Sequence, residues 1–232
     1  MDEIVAGLIK AIELIVTLNP EVVEITSRSL GIALTSTLFA SLIDIPLGSL
    51  IYFHNFYGKR GMVNIIQTLY SLPTVTVGLV VFLVISRSGP LGPLGLLFTP
   101  AGMVLGQTIL ITPVMIGLTI SALSGVSSQV RDTAVSLGAS QSQAILTIIS
   151  EARVAVMSAV LLGFGRALSE VGVATMIGGN IRGYTRVLTT AIALETSMGN
   201  LELSMALGII LISISLLVNI ILNIAQSRMR QG

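Results

Sequence analysis

Long apolar runs, interrupted only by short polar stretches, constrain this chain more than any other feature of its sequence. Each run is long enough to cross the hydrocarbon core of a bilayer, which requires about 20 apolar residues in a helix. Barrel strands would be shorter and would alternate between apolar and polar residues, unlike these runs. We therefore predict an all-α integral membrane protein whose helical bundle crosses the membrane five times. The predicted crossings are residues 30–53, 62–85, 97–123, 152–177 and 203–225.

The composition supports a lipid environment and excludes several kinds of chemistry. Only 10% of the 232 residues are charged, whereas a soluble domain carries about 25%. The chain has no cysteine and a single histidine, His54, which excludes disulfides and cysteine-based metal sites. It has no G-x-x-x-x-G-K-[ST] stretch, which excludes ATP hydrolysis by the P-loop mechanism. We expect no cofactor, no metal and no catalytic residue in this chain, and no nucleic acid among its partners.

The two ends of the chain flank a transmembrane domain that we predict for residues 27–226. Residues 1–26 read as an interfacial helix and a linker, because residues 3–18 are too short a run and carry Glu3, Lys10 and Glu13. A sixth crossing by this stretch is the alternative. The acidic start does not resemble a cleavable secretion signal, so we expect it to be retained. Residues 227–232 are expected to form a cytoplasmic tail.

The basic residues predict the orientation of the bundle, because lysine and arginine resist translocation. Six of them fall on one side of the crossings and four on the other. The two groups are Lys59, Arg60, Arg131, Arg153, Arg228 and Arg230, and Arg28, Arg87, Arg182 and Arg186. The larger group favours a cytoplasmic location for residues 127–149 and for the carboxyl terminus. On the other side, residues 187–197 have the apolar spacing of a short helix.

Residues 127–149, which we call the elbow, form a polar and helix-forming interruption between apolar runs. Ser127 or Ser128 can cap a first helix, and Gly138 stands where a helix end requires positive φ. Ser140 and Gln143 have the spacing of a capping box, which begins a second helix. The elbow is therefore predicted to be a helix, a sharp turn and another helix.

The second arm of the elbow carries Ala144, Ile145 and Ile148 on one side. This pattern is typical of a short amphipathic rod whose apolar edge enters a groove on a partner protein. An ordinary connector that packs on its own bundle has the same spacing. From the residues alone, both interpretations stay open.

The elbow resembles the "EAA" signature of ABC importer permeases, with Asp132, Thr133, Ala134, Gly138 and Ile148 at the signature positions. It departs from the signature where Asp replaces Glu, Thr replaces the first Ala, and Ser-Glu replaces Leu-Pro. The resemblance implies a cytoplasmic coupling helix that docks into an ATPase subunit, around residues 139–145. The implied coupling residues are Asp132, Ala134, Gly138, Ala139, Ser140, Gln143, Ile145 and Ile148.

The resemblance extends over nearly the whole chain. The stretches "SLPTVTVGLVVFLVISRSGPLG" and "GFGRALSEVGVATMIGGNIRGYTR" are similar to the molybdate, sulfate and tungstate branch of these permeases, and the tungstate members are the most similar. This implies a type I ABC importer permease of the prokaryotic plasma membrane that carries tungstate, with molybdate or sulfate as the alternative. The implied partners are a second copy, two ATPase subunits that bind ATP-Mg, an extracytoplasmic oxyanion-binding protein and the lipid bilayer.

Several polar residues are candidates for the translocation path or its gate. Arg166 and Glu170 are four residues apart in the fourth predicted crossing, where we expect an ion pair that either exchanges partners during transport or stays a static buried pair. Donors suited to an oxyanion are Thr74, Thr76, Ser169 and Asn180, although hydroxyls often bond back to their own helix.

Pro73 and Gly78 permit a bend in the second crossing. Arg182 and Arg186 are candidates for contact with the binding protein or for steering of the anion, and simple solvation is the alternative.

Two other classes of function compete with the permease. A secondary transporter or channel driven by an ion gradient would be expected to show repeat symmetry and more intramembrane carboxylates than Asp44 and Glu170. A membrane enzyme would need a nucleophile and a base, and His54 has no adjacent serine or carboxylate. Both classes fit the sequence less well than the permease.

Overall fold

The computed structural model describes residues 2–231, except for the side chains of residues 2, 3, 222 and 225–231. Within this part of the chain the regular elements are helices. A 3-10 turn (Gly92–Leu94) follows α4. The α-helices are α1 (Asp2–Val16), α2 (Pro20–Phe53), α3 (Lys59–Leu69), α4 (Thr74–Ile85), α5 (Pro100–Ser124), α6 (Ser128–Ser136), α7 (Gln141–Leu168), α8 (Gly172–Gly178), α9 (Leu188–Ser197) and α10 (Leu201–Gln231).

The described residues contain four helices that are long and apolar enough to cross a membrane: α2, α5, α7 and α10. α3 and α4 pass the same test only together, and they meet at an angle of 101°. If this bent pair is one span, the number of crossings is five. The all-α, five-crossing bundle predicted from the apolar runs is thus confirmed, and the short helix predicted at residues 187–197 is α9.

The second crossing is broken rather than continuous. The sequence predicted one helix over residues 62–85, but α3 ends at Leu69 and α4 begins at Thr74. Pro73 has φ −60° and ψ 128°, an extended conformation that cannot continue a helix. The bend that Pro73 was expected to permit is therefore a complete interruption of the helix.

The fourth crossing begins and ends earlier than predicted. α7 starts at Gln141, inside the elbow, and ends at Leu168, whereas the apolar run suggested residues 152–177. The apolar run continues beyond the end of α7 because the next helix, α8, is short and also buried. Its buried apolar residues are Val173, Ala174 and Ile177. Hydropathy alone could not locate this break, since both sides of it lie in the core.

The core of the bundle lies between α2, α5 and α7. Ala33 and Ala40 of α2 pack with Ile111 and Met115 of α5 and with Phe164 of α7. Small side chains on α2 allow close approach of the helices, which is how helices associate in lipid. The two ends of α2 mark the two faces of the protein: Tyr52 and Phe53 pack near the elbow, and Glu21 contacts the residues after α8.

The terminal helices pack against each other. Ala11 and Leu14 of α1 are buried in one cluster with Ala206 and Leu207 of α10. The interfacial position of α1 stays a prediction. The predicted tail is helical up to Gln231, so that α10 continues through most of residues 227–232. Met1 and Gly232, at the outer limits of the predicted terminal segments, lie outside the described residues.

Candidate functional site

The first arm of the elbow is α6, and its ends are fixed by local hydrogen bonds. The hydroxyl of Ser127 accepts a hydrogen bond from the Gln129 amide at 3.3 Å, which caps the start of the helix. Gly138 follows the helix with φ +86°. Its neighbour Ala139 donates from its amide to the Ala134 carbonyl at 3.0 Å, as expected for a helix that stops at a left-handed residue. The predicted stop at Gly138 is confirmed.

The second arm begins with the predicted capping box. The Gln143 amide donates to the Ser140 hydroxyl at 3.3 Å, and the Ser140 amide donates to the side-chain carbonyl of Gln143 at 2.8 Å. Two amides at the start of α7 that would otherwise lack partners are thereby satisfied. The elbow is a helix, a sharp turn and a second helix, as the sequence predicted.

The apolar edge of the second arm packs on its own bundle, which is one of the two interpretations that the spacing left open. Ala144 and Ile148 are buried, and Ile148 packs in a cluster with Leu123 and Ala152. Ile148 therefore holds the elbow against α5, and both residues also line the cleft beside the elbow. Ile145 is only partly buried, and it lines the cleft beside the elbow.

The exposed face of the elbow carries apolar residues that the sequence analysis missed. Leu137 is 83% exposed and Leu146 is 64% exposed. Leu137 directly precedes the turn, and Leu146 points away from the buried edge, so the amphipathic pattern assigned neither to a contact surface. A leucine beside a helix-stop glycine in a polar loop was the available signal.

Two clefts adjoin this face. One, of about 600 Å³, lies between the end of α2 and the elbow, and its walls include Tyr52, Arg131, Ala139 and Ile145. The other, of about 550 Å³, is formed by the elbow itself, and Ala134, Leu137 and Ala139 line it. Ala139 therefore lies between two concave surfaces. Asp132 is exposed on the first arm.

At the end of α7 that lies away from the elbow, the predicted ion pair between Arg166 and Glu170 is not formed. α7 ends at Leu168 with Ser169 as its cap, so Glu170 does not lie one helical turn above Arg166. The Nε of Arg166 is instead buried without a hydrogen-bond partner among the described residues. The i, i+4 interpretation was wrong because it required one continuous helix.

Glu170 stabilises the start of α8. Its side chain, 5% exposed, accepts a hydrogen bond from the Val173 amide at 2.9 Å. Its backbone carbonyl accepts from the Thr189 hydroxyl at 2.7 Å. A carboxylate just before the start of a helix, as here, lies at the positive end of the helix dipole. Glu170 thus links the end of α7, α8 and α9.

Thr74 and Ser169 lie near this junction. A Cβ atom at Gly172 would lie 2.7 Å from the Thr74 hydroxyl and 3.0 Å from the Val75 amide, so the starts of α4 and α8 are in contact. Ser169 is exposed and donates to the Arg166 carbonyl at 3.3 Å. Thr76 is exposed on α4. The structure therefore brings Thr74 and Ser169 to the two breaks in the bundle.

Asn180 belongs to the turn that follows α8. It has φ +51° and donates from its side chain to the Thr190 carbonyl at 3.3 Å, while its side-chain oxygen is buried and has no hydrogen-bond partner within the described part of the chain. Thr185, which the sequence did not single out, organises this turn. Its hydroxyl accepts from the Ile181 amide at 3.0 Å and donates to the Gly178 carbonyl at 2.5 Å.

Arg182 and Arg186 are both paired with Glu21 at the start of α2. Two nitrogens of Arg182 donate to the two carboxylate oxygens of Glu21, at 2.8 and 2.6 Å. This hydrogen-bonded carboxylate raises the pKa of the Arg182 guanidinium. The Arg182 side chain is nevertheless 72% exposed, whereas that of Arg186 is 14% exposed. Simple solvation therefore describes neither residue.

Comparison with known proteins gives the family. The chain matches the family described as "Binding-protein-dependent transport system inner membrane component" over residues 44–231. It is 40% identical over 222 residues to the tungstate uptake system permease protein TupB of Peptoclostridium acidaminophilum, which covers 96% of this chain and 97% of the relative. The molybdenum transport system permease protein ModB of Haemophilus influenzae is 28% identical over 171 residues, which covers 70% of this chain and 75% of the relative.

A solved structure shares the fold. A chain of the MetNI methionine ABC transporter, in an inward-facing conformation, superposes with a TM-score of 0.74 at 15% identity, and the match covers 92% of this chain and 98% of that one. The fold, the sequence match over most of the chain and the family profile agree. The chain therefore belongs to the family of inner membrane components of binding-protein-dependent transport systems.

Proposed function

We propose that this chain is the permease subunit of an ATP-driven importer of a tetrahedral oxyanion, and that the anion is tungstate. The family is that of ABC transporter permeases, which are not themselves ATPases and which work with ATPase and binding-protein partners. We further propose that the importer contains two copies of this chain, two ATPase subunits that bind ATP-Mg, and one extracytoplasmic oxyanion-binding protein.

The identity with the tungstate permease is the observation that carries the choice of substrate. It amounts to 40% and extends from end to end of both chains, whereas the identity with the molybdenum permease is 28%. The test is uptake of radioactive tungstate by cells that express the complete importer, with unlabelled molybdate or sulfate as competitor. Strong inhibition by unlabelled tungstate and weak inhibition by the other two is expected. Equal inhibition by sulfate would contradict the assignment to tungstate.

The exposed face of the elbow supports its role as the ATPase-docking element. Leu137 and Leu146 expose large apolar surfaces in a polar segment, and such surfaces commonly mark protein contacts. Ala139, between the two clefts, is the centre of the proposed contact. Asp132, Ala134, Ser140, Gln143 and Ile145 complete it, and Gly138 sets its shape. Ile148 supports the elbow from within the bundle.

The two helix breaks support a path for the anion near Arg166. An oxyanion in such a path needs hydrogen-bond donors, and it must not be bound so tightly that its release is slow. Thr74 and Ser169 provide hydroxyl groups at the breaks, and Arg166 has an Nε without a partner among the described residues. We propose that the anion passes this junction. Thr76 and Asn180 are secondary candidates, and Glu170 keeps α8 in place beside the path.

Replacement of the arginine tests this path. Arg166→Ala should lower tungstate uptake about tenfold or more, because a hydrogen bond to a charged group contributes about 1.5–3 kcal/mol. Membrane insertion and assembly with the ATPase should be unchanged. Arg60→Ala, which removes an exposed cation at the start of α3, is the matched control. Normal uptake by the Arg166 variant would remove this residue from the proposed path.

The exposure of Arg182 supports a contact with the binding protein. Arg182 keeps 72% of its side chain exposed although it is paired with Glu21, so that a second acidic partner can approach it. Arg186 is mostly buried, and we propose that it supports the turn that carries Arg182. Arg182→Gln should weaken uptake more at low concentration of the binding protein than at saturation.

A further inference from the structure

The break between α3 and α4 divides the second crossing into two parts that pack on different neighbours. α3 packs against α5, whereas α4 packs mainly against α8. A Cβ atom at Gly78 of α4 would lie 3.2 Å from the Val173 Cα, so α4 and α8 are in very close contact. A change in the angle at the break would therefore move α8 and the proposed path relative to α5.

Tyr70, the first residue after α3, joins the break to α5. Its side chain covers Gly117, which is buried in the middle of α5. A Cβ atom at position 117 would overlap the Tyr70 hydroxyl and would lie 2.6 Å from the ring carbon Cζ. A larger residue at position 117 would therefore require the Tyr70 ring to move away from α5.

α3 is held at both of its ends. At its start, Lys59 donates to the Tyr52 and His54 carbonyls at 2.7 and 3.1 Å. Within α3, all of whose residues are described, the side chains are at most partly buried. At its end, the Tyr70 side chain contacts a buried position of α5, next to the 101° angle between α3 and α4.

We infer that Tyr70 is a positioning residue of the transport cycle, whose ring, seated on Gly117, sets the angle of the broken second crossing and shifts when the ATPase closes. Tyr70 acts through the position of α4 and α8 and does not touch the anion. A packed contact that has two discrete arrangements can convert a change at one face of the protein into movement at the other. The inference rests on the proposed function, because it assigns the break a part in an ATP-driven cycle.

The absence of cysteine from the sequence allows a direct measurement. Leu72, within the break, is 39% exposed and can be replaced by cysteine as a single reporter. We would measure the rate at which a thiol reagent labels Leu72→Cys on the permease, in the purified complex with its ATPase subunits. The comparison is between the nucleotide-free complex and the complex trapped with ATP and vanadate. The expected change in rate is about fivefold or more, the lower end of typical coupling between distant sites.

Four further substitutions, each made in the permease that carries Leu72→Cys, test the contact between Tyr70 and Gly117. Tyr70→Phe keeps the ring on Gly117 and should keep the change in rate. Tyr70→Ala removes the ring that covers Gly117, and Gly117→Ala adds a methyl group that overpacks the contact and displaces its neighbours. Both variants should reduce the change in labelling rate to less than about twofold. Gly31→Ala is the matched control, since a Cβ atom there would have no neighbour within 4 Å.

The double variant Tyr70→Ala with Gly117→Ala separates positioning from simple stability. Without the ring, the methyl group at position 117 has nothing to overlap, so the amount of assembled complex should be restored. The response to nucleotide should stay lost, because no side chain contacts position 117 from the break. If the role of Tyr70 is purely structural, the assembled double variant should instead show the full change in labelling rate. A full response in Tyr70→Ala would overturn the inference, even if Gly117→Ala fails to assemble.

The measurement also separates this inference from the proposed function. If the complex with only the Leu72→Cys reporter responds to nucleotide, and Tyr70→Ala abolishes the response, but no tungstate is imported, the proposed substrate would be contradicted and the inference supported. A complex that imports tungstate while its reporter ignores nucleotide would overturn the inference and would support the proposed function.

Discussion

The elbow and the segment of residues 169–190 lie at opposite ends of α2, and they are held in shape in different ways. In the elbow the shaping hydrogen bonds join residues close in sequence, as between the Ala139 amide and the Ala134 carbonyl. In the 169–190 segment, local bonds such as those of the Thr185 hydroxyl are joined by hydrogen bonds to a distant element, α2. The Leu188 amide donates to the Ser29 hydroxyl at 2.8 Å, and Arg28 donates to the Arg186 carbonyl at 3.0 Å.

This difference indicates what each region can do during a conformational change. The elbow carries its own caps and its own stop signal, so it can keep its shape while it moves with a docked partner. The 169–190 segment is also tied to α2 and α9 by hydrogen bonds, so a shift of those helices relative to it would strain these bonds. The elbow can therefore move as one rigid unit with a bound partner, whereas the 169–190 segment changes when the helices of the bundle rearrange.

The largest expected effect is in the elbow, where one residue sets the turn. Gly138 has φ +86°, a conformation that is costly for a β-branched residue, by about 1–3 kcal/mol. Gly138→Val should therefore distort the turn and abolish capture of the ATPase subunit in a pull-down, with uptake lost as well.

Gly61→Val is the matched control for this prediction. Gly61 is exposed in α3, a Cβ atom there would meet nothing within 4 Å, and its φ is not in the left-handed region. The control should retain the ATPase. If Gly138→Val binds the ATPase as well as the control does, the elbow is not the docking element.

A smaller effect is expected in the 169–190 segment, where the contacts are long-range and buried. Thr189→Val removes the hydroxyl that donates to the Glu170 carbonyl at 2.7 Å, which should cost about 1–3 kcal/mol because a buried acceptor is left without a partner. Thermal unfolding of the purified permease and amide hydrogen exchange of α8 measure this loss.

Thr147→Val makes the same substitution in the elbow, where the hydrogen bond is local. The Thr147 hydroxyl is exposed and donates to the Gln143 carbonyl of its own helix at 2.9 Å. Its removal should change stability by less than about 0.5 kcal/mol. Equal effects of the two threonine substitutions would mean that the two regions are not held differently.

An effect that is smaller than that of Thr189→Val, and local, is expected for the capping box. Ser140→Ala removes the acceptor for the Gln143 amide and should cost about 1 kcal/mol, confined to the first turn of α7. Faster amide exchange at residues 141–143, without a change in α8, is the expected result. Ser142→Ala, next to the box but not part of its hydrogen bonds, serves as the control. Spread of the effect to α8 would contradict the local nature of the elbow.

The elbow could be predicted from the sequence almost residue by residue, and the physical reason is its local character. Ser127, Gly138, Ser140 and Gln143 act on amides and carbonyls within a few positions of themselves, so spacing in the sequence is also spacing in space. The burial of Ile148 was the part that spacing left open. It depends on Leu123 of α5, which is distant in sequence.

The breaks in the second and fourth crossings, and the 169–190 segment, could not be predicted in this way. Leu168 and Val173 read as one apolar run because both are buried, although the helix stops between them. The ion pair predicted between Arg166 and Glu170 was wrong for the same reason, because it assumed that one helix continues through both residues. Likewise, nothing near Gly117 in the sequence indicates that Tyr70 will cover it, since the two are brought together only by the packing of α3 on α5.

The length of α7 links the two regions mechanically. Its 28 residues start at the capped turn of the elbow and end two residues beyond Arg166, a distance of about 42 Å. α2 and α5 contain Pro46 and Pro113, but α7 contains no proline at which it could flex. A straight rod of this length turns a tilt of about 5° into a displacement of about 4 Å at its far end. The same rod that anchors the elbow is thus a lever arm whose tip carries a guanidinium group.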